Sequence, residues 1–289
     1  MLVYTNGADP SFLPTGESVF PVDDPEEVSA SDVLVVDSYH LTPSFFAQAK
    51  AVSRCVCCFD DCGELPYPAA IIVNGNVYGE GIRYPSLPGS RLLLGPRFAA
   101  MRRSFWDVPE RPVRSRVERV LVALGGTKTA EGLRMAAGLA AALPGVIVDV
   151  VVSGPDVRTA SAGEARVTCA AGDGEMVDLM LNADIAVTGG GAVMLELARC
   201  GVPTIAAVFS DNQVLNVSTW AEKGFAVATT DDVLTGPVGP LAEMIGCLDS
   251  DKRGRMGRVG RELVDGQGAR RVVAEIAGAL EEMGGLDLA

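Results

Sequence analysis

One histidine, His40, stands among 289 residues, and this scarcity removes most of the usual candidates for a general base working near neutral pH. Positive charge is also short: 24 Lys and Arg face 37 Asp and Glu, for a net charge of -13. Neutralising a phosphate backbone needs clustered cations, so nucleic acid is not an expected partner. No segment approaches the roughly 18 consecutive apolar residues of a membrane span. The start, Met1-Leu-Val-Tyr-Thr-Asn, has no basic region ahead of an apolar run, so no membrane span or targeting signal is read and the chain is expected to be cytoplasmic. Internal repeats and low-complexity tracts are lacking too. What is present is 48% hydrophobic residues, ample for the buried cores of two domains.

Seven cysteines make an odd count, and four crowd into Cys55-Val-Cys57-Cys58-Phe-Asp-Asp-Cys62. Cys55 and Cys58 have the C-x2-C spacing of a zinc site. No second such pair completes a tetrahedral set, and free cysteine is a good small hydrophobe for a buried strand. The strand is the expected structure, and no metal is expected.

From residue 117 onward strands and helices alternate. Arg119–Leu124, Val146–Val152, Arg166–Ala170, Ile185–Thr188, Val202–Phe209 and Phe225–Thr229 read as strands, with helices over Thr129–Leu143, Glu175–Asn182, Ala192–Cys200 and Asn212–Lys223. Gly201 then Pro203 form a helix stop. Such a βα series implies a parallel sheet covered on both faces. The first hundred residues are similar but less regular, with strands over Leu2–Thr5, Val19–Val22, Val33–Asp37, Arg54–Phe59 and Ala70–Val73 and a helix over Thr42–Ala51. Residues 99–116 carry two prolines and several arginines without periodicity and are expected to be a linker. The expected architecture is α/β: two Rossmann-like domains, 1–98 and 117–289, facing each other across a cleft, with the last helix returning to the first domain. Ligands would lie at the carboxyl ends of the strands.

The most telling stretch is Ala183-Asp-Ile-Ala-Val-Thr-Gly189-Gly190-Gly191-Ala-Val-Met-Leu-Glu196, followed by Asp211-Asn212-Gln213. An apolar strand runs into three glycines, then into a helix carrying one carboxylate. Glycines let backbone N–H groups approach phosphates, and a helix start adds partial positive charge. Glu196 is placed to accept the two hydroxyls of a ribose, and the surrounding apolar residues argue against a merely solvated role. Asp211 reads as a helix cap, leaving the amides of Asn212 and Gln213 to meet phosphate or sugar. Leu124-Gly125-Gly126-Thr127 follows another strand and opens the next helix. It is a second candidate anion loop, or an ordinary tight turn.

Together, Gly125-Gly126, the glycine triplet with Glu196, Asp211-Asn212-Gln213 and Leu263-Val-Asp-Gly-Gln-Gly-Ala269 resemble the nucleotide-binding half of the GT-B superfamily. Val36-Asp37-Ser-Tyr39-His-Leu41, Phe59-Asp60-Asp61 and Leu94-Gly95-Pro96-Arg97-Phe98 are similar, in the same order, to segments of its UDP-diacetamido-sugar hydrolases of pseudaminic acid biosynthesis and their spore-coat polysaccharide relatives. The resemblance implies UDP contacts from Gly126, Gly190, Gly191 and Glu196, a sugar or phosphate contact from Asn212, and substrate-side roles for Tyr39 and Asp37. It implies a UDP-linked amino sugar as the partner, water attack at the anomeric carbon with release of UDP, and neither cofactor nor metal. The family's Gly-x-Gly-His loop does not occur in this sequence, and the first domain is expected to lack its usual first βα unit. His40 sits beside Tyr39 as an exposed strand-end residue rather than a replacement base. Transfer to an acceptor hydroxyl on the same fold, or binding without chemistry, are the alternatives.

Overall fold

The computed structural model describes residues 2–5, 18–21, 29–38, 42–63, 68–85, 88–125, 129–152, 165–169, 173–229 and 233–284. The chain divides into two compact units, one of Met1–Asn74, Gly81–Leu94 and Arg270–Ala289, the other of Gly75–Glu80 and Gly95–Ala269.

In the first unit two short strands, β1 (Leu2–Thr5) and β2 (Ser18–Pro21), pair in parallel. A four-stranded parallel sheet follows in simple chain order: β3 (Ser31–Asp37), β4 (Ser53–Phe59), β5 (Ile71–Asn74) and β6 (Arg91–Leu94). Helix α1 (Pro43–Val52) crosses between β3 and β4. Thr42 caps it by accepting the Phe45 N–H at 3.2 Å. Phe46 and Ala49 of α1 pack with Val36, Val56, Cys58 and Ile72 on one face of the sheet. Strand alternation sends Cys55 and Cys57 to the opposite face, where both are fully buried. The C-x2-C spacing therefore splits its thiols across the sheet, and the cysteines serve as small core residues.

The second unit holds six parallel strands: β7 (Arg119–Ala123), β8 (Ile147–Val152), β9 (Arg166–Cys169), β10 (Ile185–Gly189), β11 (Thr204–Ala207) and β12 (Ala226–Thr229). Their spatial order is β12-β11-β10-β7-β8-β9. The chain winds outward from β7 to β9, returns to place β10 on the other side of β7, and winds outward again. This is the doubly wound Rossmann order, with its reversal between β7 and β10. Alternating residues divide between two cores. Leu121, Ala123, Ala186 and Ala206 pack beneath helices α3 (Asp173–Asn182), α4 (Val193–Cys200) and α5 (Val214–Glu222). Val120, Val122, Ile185, Val187 and Ile205 face α2 (Thr129–Ala142) and α6 (Gly239–Gly246).

Three elements have no counterpart in the sequence reading. Strand β6 is Arg-Leu-Leu-Leu, which has no β-branched residue and no alternation to mark it. Helix α6 is a short apolar segment. Helix α7 (Ser250–Leu263) is rich in Arg but interrupted by Gly254, Gly257 and Gly260, which oppose helix formation. Its glycines have a packing reason: a Cβ on Gly257 would lie 2.6 Å from the Gly201 carbonyl oxygen, so glycine lets α7 approach the end of α4. Asp249 caps α7, accepting the Lys252 N–H at 2.7 Å. Helix α8 (Gly268–Glu282) groups with the first unit from Arg270 onward, where Arg91 donates to both the Glu275 carboxylate and its carbonyl. Residues 99–116 belong to the second unit, with Phe105 fully buried in its core.

Candidate functional site

The two glycine-bearing turns leave adjacent strands at the topological reversal. Thr188 of β10 pairs with Ala123 of β7, and the Thr188 hydroxyl donates to the Ala123 carbonyl at 2.6 Å, tying the two carboxyl ends together. Gly125 then turns the chain with φ +90°, a left-handed conformation that favours glycine, and its Cβ direction is open. In doubly wound sheets this crevice is where ligands bind. Gly126 and Thr127 lie outside the described residues.

The three glycines of the other turn divide in role. A Cβ on Gly189 would lie 2.6 Å from the Phe209 ring, and one on Gly190 would lie 2.7 Å from Val217 and 2.8 Å from Gln213. Both are glycines because the loop after β11 and the start of α5 press against them. Gly191 has open space where a Cβ would go. The peptide groups follow the same division. Gly190 spends its N–H on Gln213 Oε1 at 3.0 Å and its carbonyl on Asn216 Nδ2 at 2.8 Å. The N–H groups of Gly191, Ala192 and Val193 meet no acceptor among the described residues. Ala192 occupies the cap position of α4 and supplies no capping side chain. An uncapped helix start beside a glycine is a common anion-binding arrangement.

Glu196 lies in the first turn of α4, mostly buried, with its carboxylate engaged by Arg102. Arg102 Nε and Nη2 both donate to Glu196 Oε1, at 3.0 and 2.8 Å, and the guanidinium lies over the Phe105 ring, 5.1 Å from its centroid. Arg102 belongs to a strap fastened to the same helix. Arg199, one turn beyond Glu196, donates to the carbonyls of Phe105, Trp106 and Val108. The strap is fastened from the other side by Gln267 Nε2 on the Trp106 carbonyl and by Gly268, where a Cβ would collide with Ala99.

Asp211, Asn212 and Gln213 form a 3-10 turn leading into α5, so that helix begins at Val214 and not at Asn212. Asp211 makes no capping bond there, because the turn starts after Ser210 and tightens to i+3 bonding. Asn212 is exposed, its Oδ1 accepting from the Ser210 hydroxyl at 2.6 Å. Gln213 turns inward: its Oε1 accepts from both Gly190 and Phe209 N–H groups. The functional reading of Gln213 thus gives way to a clasp holding two loops together. Sequence reasoning missed Asn216 and Arg102. Asn216 sits three residues past Gln213 on the same helix face, a spacing that could have flagged it.

In the first unit, Asp37 ends β3 beside the carboxyl end of β4, where Asp60 and Asp61 follow. Partial burial and then the neighbouring Asp61 charge raise the Asp37 carboxyl above its ordinary range. Asp60 is occupied, accepting the Gly63 N–H at 2.7 Å. Tyr39 and His40 lie outside the described residues. In the second unit a cavity of about 490 Å³ opens near the C-terminal end of α4, bordered by Arg111, Arg199 and Arg261. Those arginines donate to main-chain carbonyls, so the cavity has an architectural lining distinct from the glycine turns. No group of three or more metal-ligating side chains occurs among the described residues.

The chain is an α/β protein built on parallel sheets. Solved structures with a similar fold include Acinetobacter baumannii MurG, 14% identical over 85% of this chain and 73% of that one, with a TM-score of 0.56. The glycotransferase of kitacinnamycin is 18% identical over 86% and 76%, with a TM-score of 0.57. Spinosyn rhamnosyltransferase SpnG complexed with spinosyn aglycone is 14% identical over 84% and 73%, with a TM-score of 0.54. No protein-family profile and no curated protein sequence matches the chain. The similarity is one of fold and does not extend to the pseudaminic acid hydrolases in particular. No helix among the described residues is long and apolar enough to cross a membrane.

Proposed function

We propose that the chain binds a UDP-sugar in its second unit and transfers the sugar to an acceptor hydroxyl, with UDP as leaving group. The observation that carries this reading is the pairing of Gly125 and Gly191 turns at the β7–β10 reversal, with amides at Gly191–Val193 that meet no acceptor among the described residues and Glu196 one turn into α4. The diphosphate would take those amides and the positive end of the helix. Glu196 would accept the ribose hydroxyls, and Gly126, Thr127 and Asn212 would complete the phosphate and sugar contacts. Amides already aligned before reaction stabilise charge developing on the leaving diphosphate without reorganisation.

Transfer is preferred to hydrolysis because two of the structural neighbours named above, the kitacinnamycin and spinosyn proteins, are sugar transferases by title. The second reading, water attack on a UDP-linked amino sugar, rests on the motif resemblance of Asp37, Tyr39 and Gly95-Pro96. In either case Asp37 and Tyr39 are the proposed groups on the reacting side, with the raised carboxyl of Asp37 suited to hold or accept a proton. The test is release of UDP from UDP-N-acetylglucosamine and related amino sugars, with and without added hydroxyl acceptors. Release that depends on acceptor supports transfer, and equal release without acceptor supports hydrolysis. No UDP release and no UDP binding under either condition would overturn both.

A further inference from the structure

We infer that Arg102 is a positioning residue of the nucleotide site that acts through Glu196, cancelling the carboxylate's charge beside the bound diphosphate. This rests on the nucleotide reading above. Glu196 poses an electrostatic problem for that reading: a carboxylate suits ribose hydroxyls, yet it stands about one helical turn from the amides assigned to a polyanion. At such a separation like charges repel appreciably in a partly buried site. Arg102 is placed to remove that repulsion. Two of its nitrogens converge on one oxygen, Glu196 Oε1, which fixes the carboxylate's orientation as well as its charge.

The placement is built into the fold. The strap carrying Arg102 is anchored through Phe105 in the core and through three carbonyls bonded to Arg199, so the Arg102 backbone has a fixed address relative to α4. Glu196 and Arg199 are three residues apart on one helix face, and α4 therefore holds both the charged end of the strap and its base. The Phe105 ring beneath the guanidinium supplies a further restraint through its π-face.

Titration calorimetry with UDP and with uridine separates this role from a structural one, because uridine has the ribose and lacks the phosphates. With wild type binding UDP, Arg102→Gln should weaken UDP about tenfold, the scale of one charge-assisted hydrogen bond, and uridine less than about twofold. Arg102→Lys, which keeps the charge, should recover most of the UDP affinity. Equal weakening of UDP and uridine, unchanged UDP binding, or tighter UDP binding in Arg102→Gln would overturn the inference while leaving the nucleotide site standing. Failure of wild type to bind UDP would instead remove the reading beneath it.

Discussion

Gln213 reaches back across the sheet edge to take the Gly190 N–H on its Oε1 at 3.0 Å, and the same oxygen accepts Phe209 N–H at 3.1 Å. One side-chain oxygen thereby locks the turn after β10 to the loop after β11. Asn216 completes the hold on the other side of the Gly190 peptide. Among the described residues the turn's open amides are consequently the next three, and the Gly190 peptide is held by side chains on both sides.

Gln213→Ala should therefore destabilise the fold, because it strips the acceptor from two part-buried N–H groups. Each unsatisfied buried donor costs about 1–3 kcal/mol, so a fall in the urea midpoint with unchanged m-value is expected. A wild-type midpoint would show that the clasp contributes nothing.

Gly190→Ala and Gly191→Ala should behave differently although the residues are neighbours. A methyl at 190 meets Val217 and Gln213 inside 3 Å, and overpacking of this kind costs about 1–3 kcal/mol. A methyl at 191 meets nothing, so that variant should keep its melting temperature and lose UDP affinity. Equal thermal stability of the two variants would contradict the division of the turn into packed and open halves.

Asp184 should be the most costly surface-distant carboxylate to neutralise. It is fully buried at the start of β10, accepting main-chain N–H groups of Glu118 and Arg119 at 2.9 and 3.0 Å and Arg114 Nη1 at 3.0 Å, with Arg111 and Arg253 also facing it. Asp184→Asn leaves these arginines uncompensated and should cost about 3–5 kcal/mol in chemical denaturation, the range for breaking a buried pair. Removing the exposed Arg116, paired only with Glu118, should change stability by less than about 0.5 kcal/mol.

Burial pushes the thiols of Cys57, Cys58 and Cys200 up to about 12 from an ordinary 9.0. A group whose folded pKa is raised contributes stability that is whole below its unfolded pKa and declines as pH rises toward the folded one. Stability should thus fall between pH 9.0 and about 12 as unfolded thiols ionise and folded ones do not. Thiol labelling followed by peptide mapping should mark exposed Cys62 and Cys247 first and the buried Cys55, Cys57, Cys58 and Cys200 only in denaturant. Rapid native labelling of the buried four would contradict the core assignment.

The α/β class was legible in the sequence because buried parallel strands are continuous apolar runs such as Ile185–Val187, bounded by glycine turns. The Gly189 triplet was legible as a special turn, but the reason for two of its glycines was not. Gly189 and Gly190 are small because Phe209, Gln213 and Val217 arrive from twenty or so residues away, a tertiary effect that local pattern does not carry. The Gln213 clasp was hidden for the same reason: an amide beside a helix start can face ligand or core, and its bond to Gly190 appears only in the fold. Arg102 sat among several arginines in a stretch without periodicity, and nothing short of the fold distinguishes the one that meets Glu196. Helix α7 hid behind its glycines, which favour close helix packing while opposing helix propensity.

The proposed nucleotide-diphosphate site is organised by Glu196 and the Gly191 turn. Calorimetric titration of UDP into wild type and Glu196→Ala tests it most directly. The account predicts saturable binding to wild type and at least about tenfold weaker binding to the variant, the loss of one charged hydrogen-bonding group, with melting behaviour little changed. Equal UDP affinity in the two proteins would contradict it.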